Sequence, residues 1–433
     1  MNKVIKEKYK SIISKDENRR LLSNILSLGI LQGLNYVLPL ITFPYQVRIL
    51  GVEKFGLLAF ASSVVAYFNI LVDYGFNLTA PREIAIHREN KEKLSEIVSS
   101  ILQIKFVLFI IAAILFAILV TTIERFKKDA LVYYITFGTI FGQILFPVWF
   151  FQGIEKMKYI TIFNVISRTI FTLLIFVFVK RPSDYIYVPL ISAIGIIVSG
   201  IASLYVITHS FLIKLKLQKY NVLRYYIKES FSIFISNFAI NIYTASTTFI
   251  LGLFTNNVIV GYYAVADKII KIFKQLLSPI TQSFYPFITK KLSENKDIGL
   301  SIIRKVTKYL GIFTFFLSFF ILIFSKSIIL IISGKNYMQS IVPLKIMSFL
   351  PFIIALSNIM GIQTMLPLKM KKAFSIILIT ASILNIILSL IFVPILKHVG
   401  SAITVSIVET FITLSMYFYL KNKRINIINW KHK

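Results

Sequence analysis

The chain contains no cysteine. Disulfides and thiolate metal sites are excluded at the outset. Histidine is almost as scarce. His87, His209, His398 and His432 fall in loops or at span ends with no shared spacing, so a histidine metal site is not expected. No G-x-x-x-x-G-K-[ST] phosphate loop and no G-x-S-x-G nucleophile elbow is present, and no loop is long enough for an extramembrane catalytic domain. An enzyme is not expected, and no cofactor is implied. Charge is the third shortage. Only 15% of residues are Asp, Glu, Lys or Arg, against 57% hydrophobic, and mean hydropathy is +0.78. A soluble chain of 433 residues would need a polar surface that this composition does not provide.

What is abundant is long apolar sequence. Runs such as "VLFIIAAILFAILVTTI" and "YLGIFTFFLSFFILIF" approach the roughly 20 residues that cross about 30 Å of hydrocarbon. Without strand-like alternation these runs read as helices, the structure that satisfies every backbone group inside lipid. The sequence predicts an all-α integral membrane protein with twelve spans. The first six lie near 21–46, 55–78, 96–121, 130–151, 159–179 and 187–208. The second six lie near 229–254, 258–286, 309–332, 341–365, 373–394 and 400–420. The expected organisation is a basic arm (1–20), a six-helix lobe (21–208), a linker (209–228), a second six-helix lobe (229–420) and a tail (421–433). The arm has no apolar core, so no cleavable signal peptide is expected.

Net charge is +30, with 48 Lys and Arg against 18 Asp and Glu. On the twelve-span scheme 32 of these cations lie on the face that carries both termini and 9 on the other. That asymmetry fits the positive-inside rule with both termini in the cytoplasm. The same scatter over short loops argues against a nucleic-acid partner, despite a pI near 10.0.

The two halves share a short pattern. "FGLLAFA", Phe55 to Ala61, opens span 2, and "VGYYAVA", Val260 to Ala266, opens span 8 at an offset of 205 residues. With six spans per half both halves enter from the same side, which implies a parallel repeat about an axis along the membrane normal. Small residues also pack helices in lipid, so the pattern has a purely structural reading as well.

Charges inside spans are costly and usually face a bundle interior or an aqueous cavity. Span 8, "GYYAVADKIIKIFKQLLSPI", carries Asp267, Lys268, Lys271 and Lys274. Asp267, Lys271 and Lys274 follow i, i+4, i+7 and share one helix face. One carboxylate neutralises one ammonium, so at least one cation is left over. Two readings stand: a structural pair beside a snorkelling lysine, or a cationic stripe that receives an anion. Arg168 lies deep within span 5. Lys105 in span 3 is nearer the cytoplasmic end and either snorkels or lines a cavity. Glu409 in the last span reads as a packing or ion-pair residue. Gln32 and Asn35 in span 1, and Asn237 and Asn241 in span 7, line a cavity or bond neighbouring helices; the sequence does not separate the two.

Two stretches carry a family resemblance. The first is "LPLITFPYQVRILGVEKFGLLAFASSVVAYFNILVDYGFNLTAPREIAIHREN", with Pro44, Arg48 to Gly51, Phe55-Gly56, Asp73 to Phe76 and Arg82 to Ala85. The second is "PVWFFQGIEKMKYITIFNVISRTI", with Trp149 to Gly153 followed by Met157. Both resemble the Wzx family of O-antigen and capsule repeat-unit flippases, within the superfamily of multidrug, oligosaccharidyl-lipid and polysaccharide (MOP) exporters. The resemblance implies two six-helix bundles in a V around a lumen lined by spans 1, 2, 7 and 8. It implies an undecaprenyl-diphosphate-linked oligosaccharide as substrate, with membrane lipids and the polysaccharide polymerase and chain-length machinery as partners. Lys271, Lys274, Lys268, Arg168, Lys105 and Arg48 are then expected to line a cationic lumen. Asp73, Arg82 and Glu83 are expected to form a gate at its cytoplasmic mouth, pairing among themselves or with the other lobe, and Asp267 to act in an ion pair. A MATE-like drug antiporter and a lipid II flippase are the alternatives. The first should have a carboxylate-centred cavity, and the second should carry two more spans. Proton or sodium coupling stays open, with Asp267 and Glu409 as candidate protonation sites.

Overall fold

A computed structural model describes residues 2–427, with side chains described outside 2–32, 34–36, 232, 236–244, 276–283 and 286. Every regular element among these residues is helical. The first half comprises α1 (Asn2–Asp73), α2 (Phe76–Ile86), α3 (Lys91–Thr122), α4 (Glu124–Lys127), α5 (Ala130–Leu145), α6 (Val148–Gly153), α7 (Met157–Phe178) and α8 (Tyr187–His209). The second comprises α9 (Tyr220–Phe254), α10 (Asn257–Glu294), α11 (Lys296–Ser333), α12 (Ile341–Met347), α13 (Leu350–Met360) and α14 (Lys371–Asn422). Eight segments among the described residues are long and apolar enough to cross a membrane.

Two of the long helices are broken rods. α1 is interrupted at Gly51, whose φ of 70° and ψ of 174° lie where glycine alone sits without strain. This break falls where the sequence predicts the turn between spans 1 and 2. α14 is interrupted at Lys397, between the segments read as spans 11 and 12. Side-chain caps fix other starts. Asn90 accepts from the Lys93 amide at 3.0 Å, Asn256 from Ile259 at 3.0 Å, and Asn295 from Asp297 at 2.9 Å. Each satisfies an amide that the first helical turn leaves orphaned, which matters most where water is excluded.

The chain divides into two compact units. The first contains Met1–Pro39, Leu71–Phe178 and Tyr187–Phe234; the second contains Leu40–Ile70, Val179–Ile186 and Ile235–Lys433. The core of the first unit is built on the motifs that carried the family resemblance. Trp149, Phe150 and Phe151 of α6 are fully buried and pack with Phe76 and Ile84 of α2 and Ile97 and Ile101 of α3. Gly153 permits this approach: a Cβ there would stand 2.6 Å from the Ile84 Cβ and 2.9 Å from the Pro81 carbonyl oxygen. In the second unit Ile303, Ile359, Ala381, Val408 and Ile412 of α11, α13 and α14 form the core, with Met365 from the helical turn Gly361–Met365 that follows α13. Large apolar side chains such as Phe316 and Ile331 stay exposed along α11, as a lipid-facing surface requires.

Candidate functional site

Asp73 ends the helical part of α1 because Tyr74 (φ 49°) and Gly75 (φ 79°) turn the chain through the left-handed region. A carboxylate at a helix C-terminus faces like partial charge from the last carbonyls. Lys105 of α3 offsets it, donating to Asp73 Oδ1 at 2.8 Å. The Lys105 side chain is 5% exposed and that of Asp73 is 20% exposed. In a low dielectric neither charge is tolerable alone, so the two define each other's position. The sequence grouped Asp73 with Arg82 and Glu83 and gave Lys105 to the lumen. The structure pairs Asp73 with Lys105 instead, across a turn that sequence spacing does not reveal.

The residues after Asp73 are held by α9. The Tyr74 and Phe234 rings stack at 4.6 Å between centroids, and Thr79 and Ser230 share a hydroxyl hydrogen bond of 2.9 Å. A Cβ on Gly75 would stand 3.1 Å from the Phe234 nitrogen. Arg82 is exposed and Glu83 half-buried on α2, and neither has a side-chain ion pair among the described residues. Nearby, Tyr226 donates to Glu96 Oε1 at 3.3 Å, and burial, then the Glu96 carboxylate, holds its phenol above the usual range.

α10 carries the other cluster. Its cap at Asn256 puts Asp267 roughly 15 Å and Lys274 roughly 25 Å along the helix from its start. Lys271 Nζ meets Asp267 Oδ2 at 2.6 Å, while 51% of the Lys271 side chain stays exposed. Lys274 is half-buried and has no ion pair or hydrogen bond among the described residues. Lys268 is exposed, about 100° round the helix from Asp267. Arg168 on α7 is likewise half-buried, with no partner among the described residues.

Arg48 is engaged elsewhere. Its guanidinium donates to the carbonyls of Ile331 and of Ile332, the latter at 3.3 Å, and so closes the C-terminal end of α11. Glu409 is buried. Gln32, Asn35, Asn237 and Asn241 lie outside the described side chains. One polar cluster was missed by the sequence reading. Asn385 of α14, fully buried, accepts from Ser246 of α9 at 2.8 Å and donates to Thr247 at 3.3 Å. Tyr67 of α1 bonds to the same Ser246. The signal was present as an amide inside the apolar run "SILNIILSL".

The all-helical architecture that carries these residues belongs to a known class of fold. It is shared with the solved lipid II flippase MurJ (inward closed conformation; TM-score 0.73, 17% identity, 92% of this chain and 87% of that one). It is also shared with a multidrug resistance MATE transporter of the MOP superfamily in an inward-facing conformation (TM-score 0.67, 13% identity, 92% and 98%). Within that class, residues 21–292 match the polysaccharide biosynthesis protein family, and the chain belongs to it. It is similar to a putative O-antigen transporter of Escherichia coli (strain K12), 35% identical over 93% of this chain and 97% of that protein. A putative O-antigen transporter of Shigella dysenteriae is 29% identical over 91% and 98%.

Proposed function

We propose that the protein is a flippase for undecaprenyl-diphosphate-linked oligosaccharide, moving repeat units to the outer leaflet by alternating access for O-antigen or capsule assembly. The family and the two O-antigen transporter relatives support the substrate class. The observation that carries the mechanism is Lys274, a half-buried cation on α10 that has no partner among the described residues, beside the Asp267–Lys271 pair. An ammonium at that depth costs several kcal/mol unless an anion or water compensates it. A diphosphate crossing the bilayer meets the complementary cost, and each charge lowers the other's. Arg168 is a second cation of this kind. The lipid tail needs no polar path and stays in hydrocarbon.

Twelve spans, with both termini in the cytoplasm of the inner membrane, complete the reading, and the cation asymmetry between faces supports it. Asp267 and Glu409 are the groups through which a proton or sodium gradient would drive the cycle. A polymerase and chain-length machinery are the proposed downstream partners.

The test is Lys271→Gln with Lys274→Gln in a strain lacking its own flippase, reading surface polysaccharide and membrane protein level together. Polymer should be lost with protein retained. Arginine at both positions should restore part of it, because the planar fork replaces the charge but not the shape. Normal polymer from the double glutamine variant overturns the proposal.

A further inference from the structure

The repeat seen in the sequence has a physical meeting point. Gly56 and Gly261 occupy matching positions 205 residues apart, and both lie in the second compact unit. A Cβ on Gly56 would stand 1.8 Å from the Asn257 carbonyl oxygen and 2.6 Å from the Gly261 nitrogen. A Cβ on Gly261 would stand 2.2 Å from the Val52 carbonyl oxygen. These contacts are reciprocal, because Asn257 is itself the 205-residue counterpart of Val52. Residue i touches j, and the counterpart of j touches the counterpart of i, which is the signature of a local two-fold axis. The obstacles are backbone atoms, which cannot rotate aside as a side chain would, so only glycine fits at either position.

The contact also sits at equivalent places in the two helices. Gly56 follows the break at Gly51, and Gly261 lies one turn after the Asn256 cap. Hydrogen bonds near it include Tyr337 to the Val47 carbonyl at 3.1 Å and Tyr45 to the Val179 carbonyl at 2.8 Å. One turn deeper lie Ala61 and Ala266, again repeat counterparts and both fully buried.

We infer that Gly56 and Gly261 are positioning residues for transport. They let the segment after Gly51 and the start of α10 close backbone against backbone, sealing one end of the substrate path, and the seal opens once per cycle. This rests on the flippase reading and names the place where its path shuts at the face opposite the termini. A close approach of backbone to backbone, which glycine alone permits, suits a closure that must be remade repeatedly.

The natural absence of cysteine makes the test direct. A single reporter, Ala266→Cys or Ala61→Cys, is exposed to a membrane-impermeant maleimide from outside. In the otherwise unchanged chain labelling should be slow. Gly56→Val or Gly261→Val should raise its rate roughly ten-fold or more, by shifting the closed population, and lower surface polymer by a similar factor. Gly138→Ala, whose Cβ would meet only the Ala193 Cβ at 3.9 Å, should change neither. Should the valine variants fail to accumulate, Gly56→Ala and Gly261→Ala carry the test, with the same direction and a smaller effect. Polymer lost with labelling unchanged overturns the inference, as do valine or alanine variants that export normally. Labelling needs no substrate, so it can rise as expected even if the lysine variants show that the substrate reading is wrong.

Discussion

The Asp73–Lys105 pair separates a structural charge from a transport charge, and the two roles leave different traces. Removing one partner of a buried ion pair strands the other in low dielectric, at a cost of about 3–5 kcal/mol. Because 20% of the Asp73 side chain remains accessible, the lower end applies. That is about 3 kcal/mol, or roughly a hundred-fold in the ratio of folded to unfolded protein. Lys105→Gln and Asp73→Asn should therefore each reduce membrane accumulation and lower the unfolding temperature in detergent. Lys105→Met combined with Asp73→Leu should recover most of the loss, because apolar side chains of similar volume replace a buried pair at little cost. Exchange of the two residues should recover less, since a lysine at the end of α1 must reach a shorter partner. Purified protein by thermal unfolding, with surface polysaccharide measured beside it, decides the matter. If Lys105→Gln unfolds like the unmodified chain but exports nothing, Lys105 serves the substrate and the structural argument fails.

Gly153→Ala should lower accumulation by overpacking, at about 1–3 kcal/mol. Adding Ile84→Ala should not rescue it, because the Ile84 Cβ and the Pro81 carbonyl remain in the way; full rescue would refute that packing. Arg48→Gln should lower the unfolding temperature by uncovering the Ile331 and Ile332 carbonyls, at about 1–2 kcal/mol. Export per molecule should persist, and loss of export at unchanged unfolding temperature would return Arg48 to the substrate path.

Membrane insertion and helical class were legible in sequence because they depend on local composition. An apolar run must be helical in lipid whatever it packs against. The breaks at Gly51 and near Pro394 and Lys397 were legible for the same reason, as interruptions in apolar periodicity. The shared face of Asp267, Lys271 and Lys274 on α10 was legible by counting, since i, i+4 and i+7 share a face in any helix. Which charge meets which partner was not. Asp73 lies closer in sequence to Arg82 and Glu83, but the left-handed turn at Tyr74 and Gly75 leaves it beside α3, where Lys105 arrives from 32 residues away. Arg48 looked like a lumen cation because its charge is visible in sequence, whereas the carbonyls it covers belong to a helix end 283 residues on. The glycines show the same division. Their pattern could be read from one chain, but whether it meant ordinary helix packing or a reciprocal contact depended on what stood opposite. A missing Cβ is a local fact; the carbonyl 1.8 Å from where it would be is supplied only by the fold.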